Sequence, residues 1–322
     1  MTSPFGKIRV ALVFLFVMLA VNFLAAQRLR EDAEGALHSA PDGKGGVDSE
    51  HALPEARPVG QSVSQGHGIN YHGGPVMKGT PNIYIIWYGN WSTGPKASDR
   101  QTTVNLVDAF LDGLNGSGYM RINSTYGDNS GNVTGNLHRS TQIFDTGSQG
   151  TTFNDTGLRN IVSAALNNGS LPRDSNGVYL VLTSSNINES TGFCTQYCGF
   201  HTHASLGGVD IKYAFVGNPD RCPSGCEAQT TSPNADAGGD GLINVLTHET
   251  EETITDPDLN AWFDSSGQED ADKCNFRFGP TSTASNGSKF NQTFGGHNWL
   301  IQMEWENSRT GGCDQTLGGA FH

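Results

Sequence analysis

The sequence predicts one domain of the α/β (α+β) class: a single mixed sheet covered by helices, with disulfide-bonded loops. Three observations carry this expectation. Short β-prone apolar runs are interspersed with stretches of helical spacing. All six cysteines follow residue 190. The 322 residues include 42 glycines and only 35% hydrophobic residues, which calls for many turns around a modest core.

Residues 1–26 read as a secretory signal peptide. Lys7 and Arg9 form a basic start, Val10 to Ala25 is almost wholly apolar, and Leu24-Ala25-Ala26 offers small residues for cleavage. The rival is an uncleaved membrane anchor, because the apolar run is near the lower limit for a bilayer span. No other run is long enough to cross a membrane. Residues 27–66 mix Pro, Gly, Ser and charge without an apolar period, as a linker or pro-segment does. Residues 67–322 form the folded domain.

Within that domain, Asn82–Tyr88 (NIYIIWY) lies between Pro81 and Gly89 and reads as a buried strand. Ser98 to Leu114 places Val104, Val107, Phe110, Leu111 and Leu114 at helical spacing, and Leu158 to Leu166 is a second helix. Val178–Thr183 and Tyr213–Val216 read as further core strands. A last helix, Gly241 to Thr255, stops at Asp256-Pro257 because the residue before proline resists the α region. The tail beyond it is loop-rich.

The net charge of −13, from 32 acids against 19 Lys and Arg, excludes a nucleic-acid backbone as partner. In an exported chain the even cysteine count predicts three disulfides. The simplest pairing joins neighbours: Cys194–Cys198, Cys222–Cys226 and Cys274–Cys313. The rival is a four-cysteine zinc site built from the two C-x-x-x-C pairs. Sequons at Asn90, Asn123, Asn132, Asn154, Asn188 and Asn291 suit an exported surface.

Chemistry concentrates in Leu246–Asp258, LTHETEETITDPD. On a helix, His248 and Glu252 stand at i and i+4 on one face, and both are competent zinc ligands. The segment is H-E-x-x-E, a variant of the helical zinc motif H-E-x-x-H. Glu249 takes the position whose carboxylate activates water. A third ligand is needed. Asp258 falls ten residues after His248, where the extended motif places its last ligand; Glu269 downstream is the rival. Thr255 departs from that motif, which has Gly there. No Lys or Arg lies between Asn244 and Lys273 to balance these acids, so a Zn²⁺ ion is expected. The Asp264–Asp272 loop is dense in oxygen donors without EF-hand spacing, which leaves Ca²⁺ as a second candidate there. His201 is a further loop histidine able to approach the same cleft. A serine or cysteine nucleophile has no motif to support it.

Several signatures then resemble the exordium / phosphate-induced protein 1 family: Y-H-G-G-P-V-M-K-G (Tyr71 to Gly79), I-I-W-Y-G (Ile85 to Gly89), V-L-T-S (Val181 to Ser184), F-C-x-x-x-C-G-F-H (Phe193 to His201), C-P-x-x-C (Cys222 to Cys226) and G-x-D-G-x-I-N (Gly238 to Asn244). They run in order over about residues 70–315. The resemblance implies an extracellular, cell-wall-associated protein connected with growth control, and it assigns no chemistry. Where plant members read like L-A-G-T-V-T-N-P, this chain has T-H-E-T-E-E-T-I-T-D-P. A looser similarity is to zinc peptidases of the metzincin type, in which a strand also precedes the H-E helix. Two functions follow as expectations. One is a secreted, metal-dependent hydrolase of peptides, with His248, Glu252 and Asp258 or Glu269 as ligands and Glu249 as base. The other is a non-catalytic extracellular protein that binds wall polymer or a partner, with Trp91, Trp262 and Trp299 as exposed stacking residues.

Overall fold

Asn82–Tyr88 (β1) is buried at every position after Asn82 because it sits inside a sheet covered on both faces. The computed structural model describes residues 66–322, so the signal segment and nearly all of the 27–66 linker lie outside the described residues. After β1 come α1 (Gln101–Leu114), β2 (His138–Asp145), α2 (Asp155–Asn167), β3 (Gly177–Thr183), β4 (Gly199–Leu206), β5 (Val209–Val216) and α3 (Ala237–Thr255). The five strands form one mixed sheet in the order β2-β1-β3-β5-β4. Pairing is parallel from β2 to β5, and only the edge strand β4 runs antiparallel to its neighbour. Among the described residues no helix is long and apolar enough to cross a membrane.

The mixed sheet, the α+β class and the single domain agree with the sequence expectation. Two strands were not anticipated. β2, HRSTQIFD, is a partly exposed edge strand with polar side chains and lacks an apolar run. β4, GFHTHASL, alternates Phe200, Thr202 and Ala204 with His201 and His203, so its histidines lie on a strand and not in a loop.

α3 is buried from Gly238 to Thr255 although it carries Asp240, Glu249, Glu251 and Glu252. Asp236 caps it, accepting from Gly239 N–H at 3.0 Å. Gly238 permits close approach to the chain before α1, since a Cβ there would lie 3.0 Å from Ser98 Cβ. The interleaved threonines explain how a polar helix tolerates the core. Thr247, Thr250 and Thr253 each donate a hydroxyl proton to the carbonyl four residues back and need no outside partner, while Thr255 donates to Asp270 Oδ2 at 3.0 Å. The turn that a Gly would make at position 255 is made further on. Asp256 accepts from the N–H groups of Asn260 and Ala261, both at 2.6 Å, and Leu259 takes the left-handed conformation at φ 55°.

The disulfides are Cys194–Cys222, Cys198–Cys226 and Cys274–Cys313, which corrects two of the three expected pairs. The two C-x-x-x-C segments lie side by side and face each other, so each presents both sulfurs to the other segment. Because all six sulfurs are bonded, the four-cysteine zinc site is excluded. The tryptophans are also corrected: Trp91, Trp262 and Trp299 are buried. Trp262 donates to Gly127 O at 2.8 Å, and Trp299 packs edge-on against Phe110. Asn123 is buried as well, which removes it from the accessible sequons.

Two predictions follow from this packing. Non-reducing peptide mapping should recover Cys194 linked to Cys222 and Cys198 linked to Cys226, and no peptide bridged within either C-x-x-x-C. The second concerns pH. Burial pushes Asp240 up to about 6, and burial together with Asp220 pushes Glu227 up to about 7. Both values exceed the unfolded carboxylate range near 4, so the folded state holds more protons between pH about 4 and 7 and loses stability as pH rises through that window. At Asp264, burial is outweighed by Ser266 and Lys273, and its pKa falls to about 2, so its contribution is lost only at lower pH. The denaturant midpoint of metal-free protein should therefore rise from pH 8 to about 5 and fall below about 4.

Candidate metal centre

The fourth and fifth turns of α3 bring His248 and Glu252 together on one face, with His248 Nε2 3.1 Å from Glu252 Oε1. Asp272 joins them from the following loop, its Oδ1 3.5 Å from the same nitrogen. The other ring nitrogen, Nδ1, lies 3.2 Å from Gln302 Oε1. Gln302 is itself held: its N–H donates to Asn244 Oδ1 at 2.6 Å and its Nε2 to Ala271 O at 2.8 Å. A fixed acceptor at Nδ1 places a proton there and makes Nε2 the nitrogen that faces the carboxylates.

A second group adjoins the first. His201, on the edge strand β4, places Nε2 3.1 Å from Glu269 Oε2 and 3.8 Å from Glu252 Oε2. Glu252 thus serves both groups, Oε1 toward His248 and Oε2 toward His201. Asp272 N–H donates to Glu252 Oε1 at 3.1 Å and fixes the carboxylate plane.

Of the residues singled out from the sequence, the structure gathers His248, Glu249, Glu252, Glu269 and His201 here, together with Asp272 from the acidic loop. Asp258 is placed elsewhere. Its Oδ1 lies 3.7 Å from Lys212 Nζ and 3.8 Å from His203 Nδ1, beside Asp210, in an ion-pair network compensated by that lysine. The turn after Asp256-Pro257 carries Asp258 away from the helix face. In the Asp264–Asp272 loop, Asp264 bonds Ser266 and pairs with Lys273 at 3.0 Å, while Glu269 and Asp272 turn inward to the centre. The spacing E-D-A-D with two acids three apart was the available signal for Asp272. For His201 the signal was period-2 alternation in β4, hidden by its glycine start.

Burial sets the electrostatics. It pushes the carboxyl groups of Glu252 and Glu269 well above the usual range, and the acids around each push further, Asp272 for Glu252 and Glu252 for Glu269. Glu249 rises to about 8, mainly through burial, with His248 opposing and Asp272 adding. Burial also works against charge on His248, but Glu252 and Asp272 outweigh it and hold that imidazole well above its ordinary value. His201 falls to about 3, through burial and the nearby His248.

The donors fit a divalent cation. Glu252 Oε2, Glu269 Oε1 and Glu249 Oε2 are buried without a hydrogen-bond partner, and each such oxygen costs about 1–3 kcal/mol, more when ionised. Among the described residues no Lys or Arg ion pair reaches Glu252, Glu269 or Asp272. The donor separations of 3.1–3.8 Å bracket the roughly 3.4 Å expected between two atoms each about 2.1 Å from a tetrahedral ion. Solvent reaches the group from the side of His248 and Asp272, which are 5% and 9% exposed, while Glu252 and Glu269 are at 0%. A separate cavity of about 240 Å³, lined by Asp155, Arg159, Phe200, Thr202 and Tyr213 among others, contains none of the proposed ligands.

Glu249 leans on β4. A Cβ on Gly199 would come within 2.6 Å of Glu249 Oε1 and 2.7 Å of Val245 Cγ1. Gly199→Ala should therefore displace Glu249 and lower stability by about 1–3 kcal/mol, readable as a fall in Tm; an unchanged Tm would contradict this packing.

The conserved region of phosphate-induced protein 1 matches residues 69–311. Protein EXORDIUM-like 5 of Arabidopsis thaliana is 30% identical over 272 residues, covering 74% of this chain and 75% of that protein. Protein EXORDIUM-like 3 of the same plant is 30% identical over 275 residues, covering 74% and 80%. Protein EXORDIUM is 26% identical over 232 residues, covering 63% and 70%. No solved structure matches the chain significantly. The match spans the sheet, the Cys194–Cys222 and Cys198–Cys226 disulfides and the helix bearing the centre, and the chain belongs to the phosphate-induced protein 1 (exordium) family.

Proposed function

We propose that this family member is an exported, metal-dependent hydrolase acting on peptide bonds, with His248, Glu252 and Asp272 as ligands of a Zn²⁺ ion and Glu249 as general base. The observation that carries the reading is the convergence of His248 Nε2, Glu252 and Asp272 at the solvent-facing side of a buried acidic helix, with Glu249 next to the first ligand. Three disulfides support export. Bound there, the ion supplies Lewis acidity that polarises a carbonyl. Carboxylate ligands make that Lewis acid weaker than an all-histidine set and suit harder metals too.

Glu249 then holds the proton removed from the attacking water. Its pKa is raised by burial in the metal-free chain, and a neighbouring dication pulls it back toward neutrality, where a base works best. Substrate class follows from β4. Among the described strands it has a ladder partner on one side only, so an extended peptide can pair along its outer edge beside His201. A second reading, a non-catalytic wall or surface protein with a structural cation, is favoured by one observation: Glu252 and Glu269 are wholly enclosed, as in closed structural sites.

Labelled casein serves as the probe. Zn²⁺-loaded protein should cleave it, and Glu249→Gln should cut the rate by roughly 100-fold or more with metal content unchanged. Equal rates in the two proteins, or no cleavage by the loaded native chain, would remove the hydrolase reading and leave the structural one. Because burial favours the protonated form of Glu252 in the metal-free chain, uptake of Zn²⁺ should release protons into weak buffer, and affinity should weaken as pH falls.

A further inference from the structure

The donor set is larger than one ion needs. A tetrahedral catalytic zinc takes three protein ligands and keeps one position open. Here two histidines and three carboxylates meet, in two triads: His248 with Glu252 and Asp272, and His201 with Glu252 and Glu269. The triads share one residue and divide its oxygens. Glu252 Oε1 faces His248, and Oε2 faces His201. The 3.8 Å separation between His201 Nε2 and Glu252 Oε2 is too long for a hydrogen bond, so proton sharing does not account for it.

We propose that the centre takes two divalent cations, with Glu252 as the carboxylate bridge between a His248–Asp272 site and a His201–Glu269 site. Each ion receives one imidazole nitrogen, one carboxylate of its own and one oxygen of Glu252. A carboxylate bridging through both oxygens suits ions about 3.5–4 Å apart, the spacing of two-metal hydrolytic centres. Charge agrees: Glu249, Glu252, Glu269 and Asp272 bring four negative charges against two dications, whereas a single ion would leave two buried charges uncompensated. The unpartnered Glu252 Oε2 faces His201, so the second ion satisfies a buried atom that the first does not reach.

The two sites differ in access. The His248–Asp272 side meets solvent, while the His201 and Glu269 side chains are enclosed. The inner ion therefore holds Glu252 in place and adds positive potential, and the outer ion meets substrate.

The inference rests on the metal-binding reading above, and stoichiometry separates the two. Chelator-stripped mature protein is loaded with Zn²⁺, desalted and assayed by elemental analysis. Two ions per chain are expected, falling to one in His201→Ala and to one in His248→Ala. Loaded instead with Mn²⁺, the native chain should give the exchange-coupled EPR spectrum of a paired centre. One ion in the native chain, with an uncoupled Mn²⁺ spectrum, overturns the bridge but leaves a one-metal hydrolase standing. No ion at all overturns both. The native measurements decide without any variant, so a poorly folding His201→Ala does not weaken the test.

Discussion

Everything in this fold is arranged around negative charge in its interior. α3 is enclosed from Gly238 to Thr255 and carries Glu249, Glu251 and Glu252 into the core with no basic residue near in sequence. Isolated buried carboxylates are too costly to persist ionised. Two means of neutralisation are visible. Around Glu251, Asp270 and Glu304 burial raises the carboxyl pKa values, and Tyr119 donates to Glu304 Oε1 at 2.8 Å. That group is managed with protons. Around Glu252, histidines arrive from two directions and oxygens are left aimed at each other, an arrangement suited to cations. The threonines between the acids keep the helix itself satisfied and leave its carboxylates to the surroundings.

The sheet serves this arrangement. Parallel β1, β3 and β5 are apolar platforms, and the antiparallel edge strand β4 supplies His201 and the glycine that makes room for Glu249. The loop-rich tail closes the other side. Glu269 and Asp272 come from it, and Gln302 orients His248 while bonding Asn244 and Ala271. Gln302 thus fixes the orientation of a helical residue 54 positions earlier in the chain.

Much of the fold was legible in the sequence because its core strands are apolar runs between turn residues and its helices have clear periods. What escaped was polar. β2 looked like loop because one edge of it faces solvent, and β4 looked like loop because its inward residues are histidines instead of valines. His248, Glu249 and Glu252 were legible because a helix has a fixed period. Asp258 followed from an extended motif whose sharp turn depends on glycine, and with Thr255 in that place the chain turns later, at Leu259. Glu269 was one of two alternatives, and Asp272 had no periodicity to mark it. The Cys274–Cys313 pair was legible from sequence order, but the other two were not, since the cysteines of each C-x-x-x-C lie side by side facing the other segment.

The paired disulfides at the foot of the β4–β5 hairpin have a kinetic meaning. Edge strands are usually among the first parts of a sheet to fray. Here Cys198 immediately precedes β4, and Cys222 and Cys226 follow β5, so both ends of the hairpin are tied to one covalent ladder. Each tie closes a loop of 28 residues, worth about 3–4 kcal/mol by chain entropy. The base of the strand that carries His201 is thereby held against β5, which disfavours fraying at that end. An ion lodged behind it would be released more slowly than from an untied edge.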